Sequence, residues 1–185
     1  MSLVAGKEDV SRDPHRSLGV LPEAGIKPMY DLIELMFFAY RDLVGDADPI
    51  LGALGFGRAH HRLLHFVARH PGLTIAELLE ILKVTKQSLN RVLKEMVDRN
   101  YIALRPGIND RRQRQLYPTL RGEALAREAA LLQSKRFVRV FGSLPDGARP
   151  QAQAFLLSMV DPGRRDKIAA MTGVGTILGS EGSQP

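Results

Sequence analysis

One segment carries side chains suited to reading or gripping a polyanion. After Thr85, the residues Lys86, Gln87, Ser88, Asn90, Arg91 and Lys94 are interleaved with Leu89, Val92, Leu93, Met96 and Val97. The apolar set repeats at i, i+3, i+4, i+7 and i+8, the stripe of a helix, which puts Lys86, Gln87, Asn90, Arg91 and Lys94 on the opposite face. Glutamine and asparagine offer a donor and an acceptor side by side, matching an adenine edge; arginine and lysine donate to guanine or grip phosphate. Thr85 caps this helix, and the backbone amides beside it, with the helix dipole, favour a phosphate. Position N3 is Ser88, so no carboxylate stands where an anion would approach. Further along, Asp110, Arg111, Arg112 and Arg114 gather cations around a turn.

The positive charge of the chain is concentrated here. Residues 83–121 hold ten Lys and Arg against three Asp and Glu, a net +7, whereas all 185 residues together carry +6. Everything outside this block is therefore close to neutral. A localised cationic block faces a polyanion, because neutralising phosphates releases condensed counterions. The plainer alternative is a solvated helix face with scattered charge.

The elements that position these residues follow from local signals. Thr74 and Glu77 form a capping box that opens a short helix running to about Leu82; three residues later Thr85 caps the next, which together make a helix-turn-helix. Tyr101 to Pro106 and Gln113 to Tyr117 read as the strands of a β-hairpin, with a turn at 107–110 and arginines at its tip. Thr119 caps a long helix to about Phe141, and a last helix covers about 149–171 with a break at Pro162-Gly163. Upstream, a helix over about 56–69 is expected to bury Phe56, Ala59, Leu63, Leu64, Phe66 and Val67 and stops at His70-Pro71-Gly72.

A helix over about 28–44, with Pro28 in its first turn, is apolar nearly all round. Such a helix is enclosed by a large core or covered by a second copy of the chain, and at this length the second copy is expected. GDADP at 45–49 reads as a break. The expected fold is mainly α with a small β-hairpin wing. Its expected order is a flexible arm at 1–27, a dimerisation helix at 28–50, a winged helix-turn-helix at 51–120, C-terminal dimerisation helices at 121–172 and a flexible tail at 173–185.

Several classes are excluded. Without cysteine there is no disulfide, no Cys-based zinc site and no thiol chemistry. No apolar run approaches the roughly 18 residues of a membrane span, and the first residues lack an apolar stretch of signal-peptide length, so a cytoplasmic protein with no membrane role is expected. No phosphate loop, G-x-S-x-G or H-E-x-x-H occurs, so neither an enzyme nor a cofactor is expected. His61 and His65 stand four apart, able to grip one metal ion, with Asp42, Asp46 and Asp48 as companions. No third ligand is fixed by the spacing, so no metal site is assigned and zinc response stays an alternative.

The stretch from Leu54 to Leu125 resembles the MarR family of transcriptional regulators, above all in HPGLTIAELLEILKVTKQSLNRVLKEMVDRNYI and NDRRQRQLYPTLRGEAL. The resemblance implies a homodimer with interlocking terminal helices on a pseudo-palindromic double-stranded DNA operator. The helix after the turn would enter the major groove and the wing tip the minor groove. Asp110-Arg111-Arg112 matches the family's Asp-x-Arg, and Thr119-Leu120-Arg121-Gly122 its Thr-x-x-Gly. Arg112 suits a narrow, electronegative minor groove; Asp110 either orients that arginine or is an ordinary turn aspartate.

The resemblance further implies a repressor released by a small phenolic or anionic effector. Tyr40, Arg58, His60 and His61 would line its pocket, or would simply pack an interface and solvate helix faces. Two residues depart from the family pattern. Lys83 stands where glycine is common, so a left-handed backbone there costs about 1 kcal/mol. Pro118 replaces an aliphatic residue and is expected to shorten the second wing strand. A protein- or RNA-interaction module with no operator is the competing reading.

Overall fold

Apolar periodicity and capping residues set the order of elements, and the computed structural model describes residues 27–107 and 112–174 of them. Most of the expected arm, the end of the tail and the wing-tip residues Asp110 and Arg111 lie outside the described residues. The chain forms two units, Met1–Phe37 and Phe38–Pro185. Among the described residues the helices are α1 (Tyr30–Gly45), α2 (Asp48–Gly52), α3 (Arg58–Arg69), α4 (Ile75–Leu82), α5 (Lys86–Asp98), α6 (Leu120–Phe141), α7 (Ala148–Ser158) and α8 (Arg165–Thr172), with a 3-10 turn at Pro162–Arg164. The strands are β1 (Leu73–Thr74), β2 (Ile102–Pro106) and β3 (Arg114–Pro118), and they form one antiparallel sheet in the order β1-β3-β2.

The expected elements are present, with shifts that have local causes. Pro28 falls just outside α1 rather than in its first turn, because Met29 supplies the first carbonyl, accepting from Ile33 N–H at 3.1 Å. The break expected at 45–49 is narrower: Asp48-Pro49 opens α2, with proline in the first turn and Leu51 buried. Phe56 precedes α3 yet is buried in the core. The break at Pro162-Gly163 is realised and separates α7 from α8.

Pro118 does not shorten its strand. It ends β3 opposite Ile102, while Thr119 N–H donates to Tyr101 O at 3.1 Å and Gly107 N–H to Gln113 O at 2.8 Å. These bonds put Tyr101 and Gly107 at hydrogen-bonded sites, so by alternation Ile102–Pro118 and Pro106–Arg114 are non-hydrogen-bonded pairs. Both prolines thus occupy positions where the ladder between β2 and β3 needs no donor. On its other side, β3 meets β1 only at Gln115 and Leu116, short of Pro118.

The core gathers α3, α4, α5 and the sheet around Leu63, Leu64, Leu78, Met96, Tyr101 and Leu116. Two polar ties join the last turn of α1 and the residue that follows it to α6. Arg136 donates from Nε and Nη2 to the Asp46 carboxylate at 2.6 Å each, and Gln133 Nε2 donates to Leu43 O at 3.1 Å. The Arg136 guanidinium holds the Asp46 carboxyl below its ordinary range. Bidentate pairing of this kind fixes direction as well as distance.

The start of α6 meets the start of the wing without space to spare. A Cβ on Gly122 would stand 2.1 Å from Tyr101 O and 3.4 Å from Leu64 Cδ1. Gly52, by contrast, has nothing within 4 Å of the same atom. Gly122→Ala will therefore lower stability by about 2 kcal/mol, within the range of overpacking, while Gly52→Ala will be neutral or slightly stabilising in its short helix. Urea unfolding midpoints check this; equal midpoints for the two variants would show that the close approach is absent.

Candidate nucleic-acid interface

The helix-turn-helix is built as its local signals require. Glu77 N–H donates to Thr74 Oγ1 at 3.2 Å, and Thr74 N–H donates back to Glu77 Oε2 at 2.8 Å, closing the capping box. α4 ends at Lys83, whose backbone is left-handed (φ 51°, ψ 44°) and whose N–H donates to Leu79 O. A lysine in this conformation carries the strain expected of a residue with a Cβ. Thr85 then caps α5 by accepting from Ser88 N–H at 3.2 Å.

α5 buries Leu89, Val92, Leu93 and Met96 and leaves Lys86, Gln87, Ser88, Asn90, Arg91 and Lys94 exposed. All six lie within three turns of one another, with Thr85 exposed at the start. Lys94 pairs with Asp98 one turn along, whereas Lys86 and Arg91 make no ion pair among the described residues. On the wing, Arg112 and Arg114 are exposed.

Other cations of the same block also lie against aromatic rings, which no sequence spacing announces. Arg99 stacks over the Phe56 ring at 4.1 Å, donates to Leu54 O at 2.8 Å and pairs with Glu95 at 3.1 Å. Arg121 lies over the Tyr101 ring at 4.4 Å, and Arg105 over the Tyr117 ring at 4.5 Å. Planar guanidinium groups suit such stacking. The only local hint was the Glu95–Arg99 spacing of one helical turn.

The residues offered for an effector are spread among different tasks. His60 Nδ1 accepts from Gly57 N–H at 3.1 Å, which leaves the imidazole hydrogen on Nε2, 3.0 Å from Glu95 Oε2. Its ring also stacks on Phe56 at 4.8 Å, so His60 caps α3 and ties it to α5. Arg58 pairs with Asp48 at 3.3 Å, His61 is buried, and Tyr40 is exposed. Burial, ahead of the partly offsetting Asp48 charge, holds the His61 imidazole below its usual pKa. Among the described residues no three His, Cys, Asp or Glu side chains group so as to hold a metal ion. Asp42, Asp46 and Asp48 thus do not close around His61 and His65. Likewise, no described helix is long and apolar enough to cross a membrane.

Three carboxylates of this unit sit below the ordinary glutamate range: Glu95, through hydrogen bonds from His60 and Arg99, Glu77, through the Thr74 amide and hydroxyl, and Glu80, through its hydrogen bond from Lys167. A carboxyl whose folded pKa is depressed stabilises the fold fully above its unfolded value of about 4.3, and that share disappears as pH falls through the folded value. Urea midpoints will accordingly drop between neutral pH and about pH 3, and Glu95→Gln will flatten that acid limb. An acid limb untouched by the substitution would contradict the His60–Glu95–Arg99 network.

Comparison with known proteins agrees with this architecture. Residues 54–113 match the profile of the MarR family. The HTH-type transcriptional regulator PetP of Rhodobacter capsulatus is 44% identical over 137 residues, spanning 72% of this chain and 80% of PetP. The HTH-type transcriptional repressor Rv2887 of Mycobacterium tuberculosis is 30% identical over 110 residues, 60% of this chain and 77% of Rv2887. The crystal structure of Rv2887 in complex with salicylic acid superposes with a TM-score of 0.52 over 74% of this chain and 99% of that one, at 25% identity. A MarR transcriptional regulator from Methanosarcina mazei shares the fold, with a TM-score of 0.60 and 20% identity over 73% of this chain and 90% of its own. With the capped helix pair, the three-stranded wing and this extent of identity to PetP, the chain belongs to the MarR family of transcriptional regulators.

Proposed function

We propose that two copies of this chain bind a pseudo-palindromic DNA operator and repress transcription until a small phenolic or anionic effector releases them. The observation that carries this reading is the exposed face of α5, where Gln87, Asn90 and Arg91 stand together beside a capped helix N-terminus that bears no carboxylate. Gln87 and Asn90 suit adenine, Arg91 and Lys94 suit guanine or phosphate, and Thr85, Lys86 and Ser88 lie where backbone phosphate would approach. Arg112 and Arg114 extend the cationic surface along the wing, and Asp110 and Arg111 complete its tip in the sequence.

Dimerisation is supported by apolar surface. Tyr30, Leu35 and Phe37 on α1 are each more than 60% exposed, as is Val138 on α6 and Met159 on α7. Along α1 alone, large apolar side chains exposed in such number mark an interaction surface rather than ordinary scatter. A second copy would cover it and set two α5 helices about one helical turn of DNA apart. The repressor and effector parts of the reading are supported by Rv2887, named a repressor and crystallised with salicylic acid. For the effector, Tyr40, Arg58, His60 and His61 are the residues offered.

Fluorescence anisotropy with fragments selected from the source genome tests the reading. Asn90→Ala and Arg91→Ala will each weaken the selected fragment by about 1–3 kcal/mol relative to random duplex. Arg112→Ala will weaken selected and random duplex alike and lower the slope of log affinity against log salt by about 1. An unchanged affinity and slope in Arg112→Ala would refute the wing's role, and equal losses on both duplexes in Asn90→Ala would refute base reading by α5.

A further inference from the structure

Arg62 lies outside the basic block at 83–121, on α3, yet the fold brings it to the flank of α5. With Ala59 it forms the α3 side of a small hollow. Val84, Ser88 and Val92 form the opposite side, and Leu82 from the end of α4 closes it. The hollow measures about 30 Å3, room for a water or a phosphate oxygen and too little for a metabolite. Arg62 and Ser88 are both exposed, so a guanidinium from one helix and a hydroxyl from another line one accessible dent.

The surroundings of Arg62 suit a single phosphate. It has no ion pair and no side-chain hydrogen bond among the described residues, whereas Arg58, one turn earlier, is engaged by Asp48 at 3.3 Å. No carboxylate lines the hollow, so nothing there repels an anion. Ala59, exposed and small, adds only a methyl group beside the approach. The backbone that carries Arg62 is held against α5: His60 Nε2 meets Glu95 Oε2 at 3.0 Å, and Leu63 and Leu64 are buried in the shared core.

We propose that Arg62 is a positioning residue for the duplex: its guanidinium grips one backbone phosphate beside α5, and the Ser88 hydroxyl donates to the same phosphate group. This rests on the operator reading above. The contact itself reads no base, because phosphate oxygens carry no sequence. It ties one strand to α3 and α5 together, which fixes how α5 lies in its groove. The fork of donors on arginine matches phosphate oxygens, and charge assistance strengthens each bond. A charge elsewhere on α3 does not serve. Arg69, also exposed and without an ion pair among the described residues, faces α4, α6 and α8 instead.

Anisotropy titration of the full chain, on its selected genomic fragment and on random duplex at several salt concentrations, tests the contact. Arg62→Ala should keep the melting temperature, weaken random duplex about tenfold and weaken the selected fragment at least as much. It should also lower the slope of log affinity against log salt by about 1 for each bound copy. Arg62→Lys should recover most of the affinity, and Arg69→Ala should stay near wild type in affinity and slope. A neutral methylphosphonate placed at each phosphate of the fragment in turn locates the contact. One position per half-site should weaken the wild-type chain and leave Arg62→Ala unaffected. Undiminished binding in Arg62→Ala, an equal loss in Arg69→Ala, or the same methylphosphonate profile in wild type and Arg62→Ala would each overturn the proposal and leave the operator reading standing. A wild-type chain that selects no fragment would overturn both.

Discussion

Where the wing joins α6, there is no room for a methyl group. Gly122 lies against the Tyr101 carbonyl so closely that a Cβ would stand 2.1 Å from its oxygen. Thr119 closes the same joint three ways: its N–H donates to Tyr101 O, its hydroxyl donates to Asn100 O at 2.7 Å, and its Oγ1 accepts from Gly122 N–H at 3.1 Å. Tyr101, fully buried, anchors the point where α5 has just ended and β2 begins. The direction of α5, the hairpin and the long helix is therefore set at a single place. A recognition surface made of separate elements needs such a joint, because contacts along a duplex tolerate little relative displacement.

Around this joint the cations divide into two groups. Arg99, Arg105 and Arg121 lie over the aromatic rings of Phe56, Tyr117 and Tyr101, where they hold loops and strands in register. Lys86, Arg91 and Arg114 stay exposed. Arg105 and Arg121 are exposed as well, so the ring contacts leave most of the block's charge at the surface. Both groups contribute to the long-range potential that steers encounter with a polyanion.

Features governed by neighbours along the chain were legible in the sequence. The Thr74–Glu77 box, the Thr85 and Thr119 caps, the strain at Lys83 and the stripe of α5 all depend on residues within two turns. What escaped depended on distant partners. β1 is only two residues long and exists because β3 offers it an edge at Leu116. The tolerance of Pro118, expected from sequence to shorten its strand, rests on a pairing phase that the partner strand sets. His60 links Gly57 and Glu95 through its two ring nitrogens, a tie between α3 and α5 that no local spacing announces.

The central claim is that paired α5 helices and wings read one face of a duplex. Hydroxyl-radical footprinting of the best genomic fragment tests it most directly. The account predicts two protected major-groove segments centred about one helical turn apart, each flanked by a protected minor groove. A single protected segment, or uniform protection with no preferred register, would contradict it.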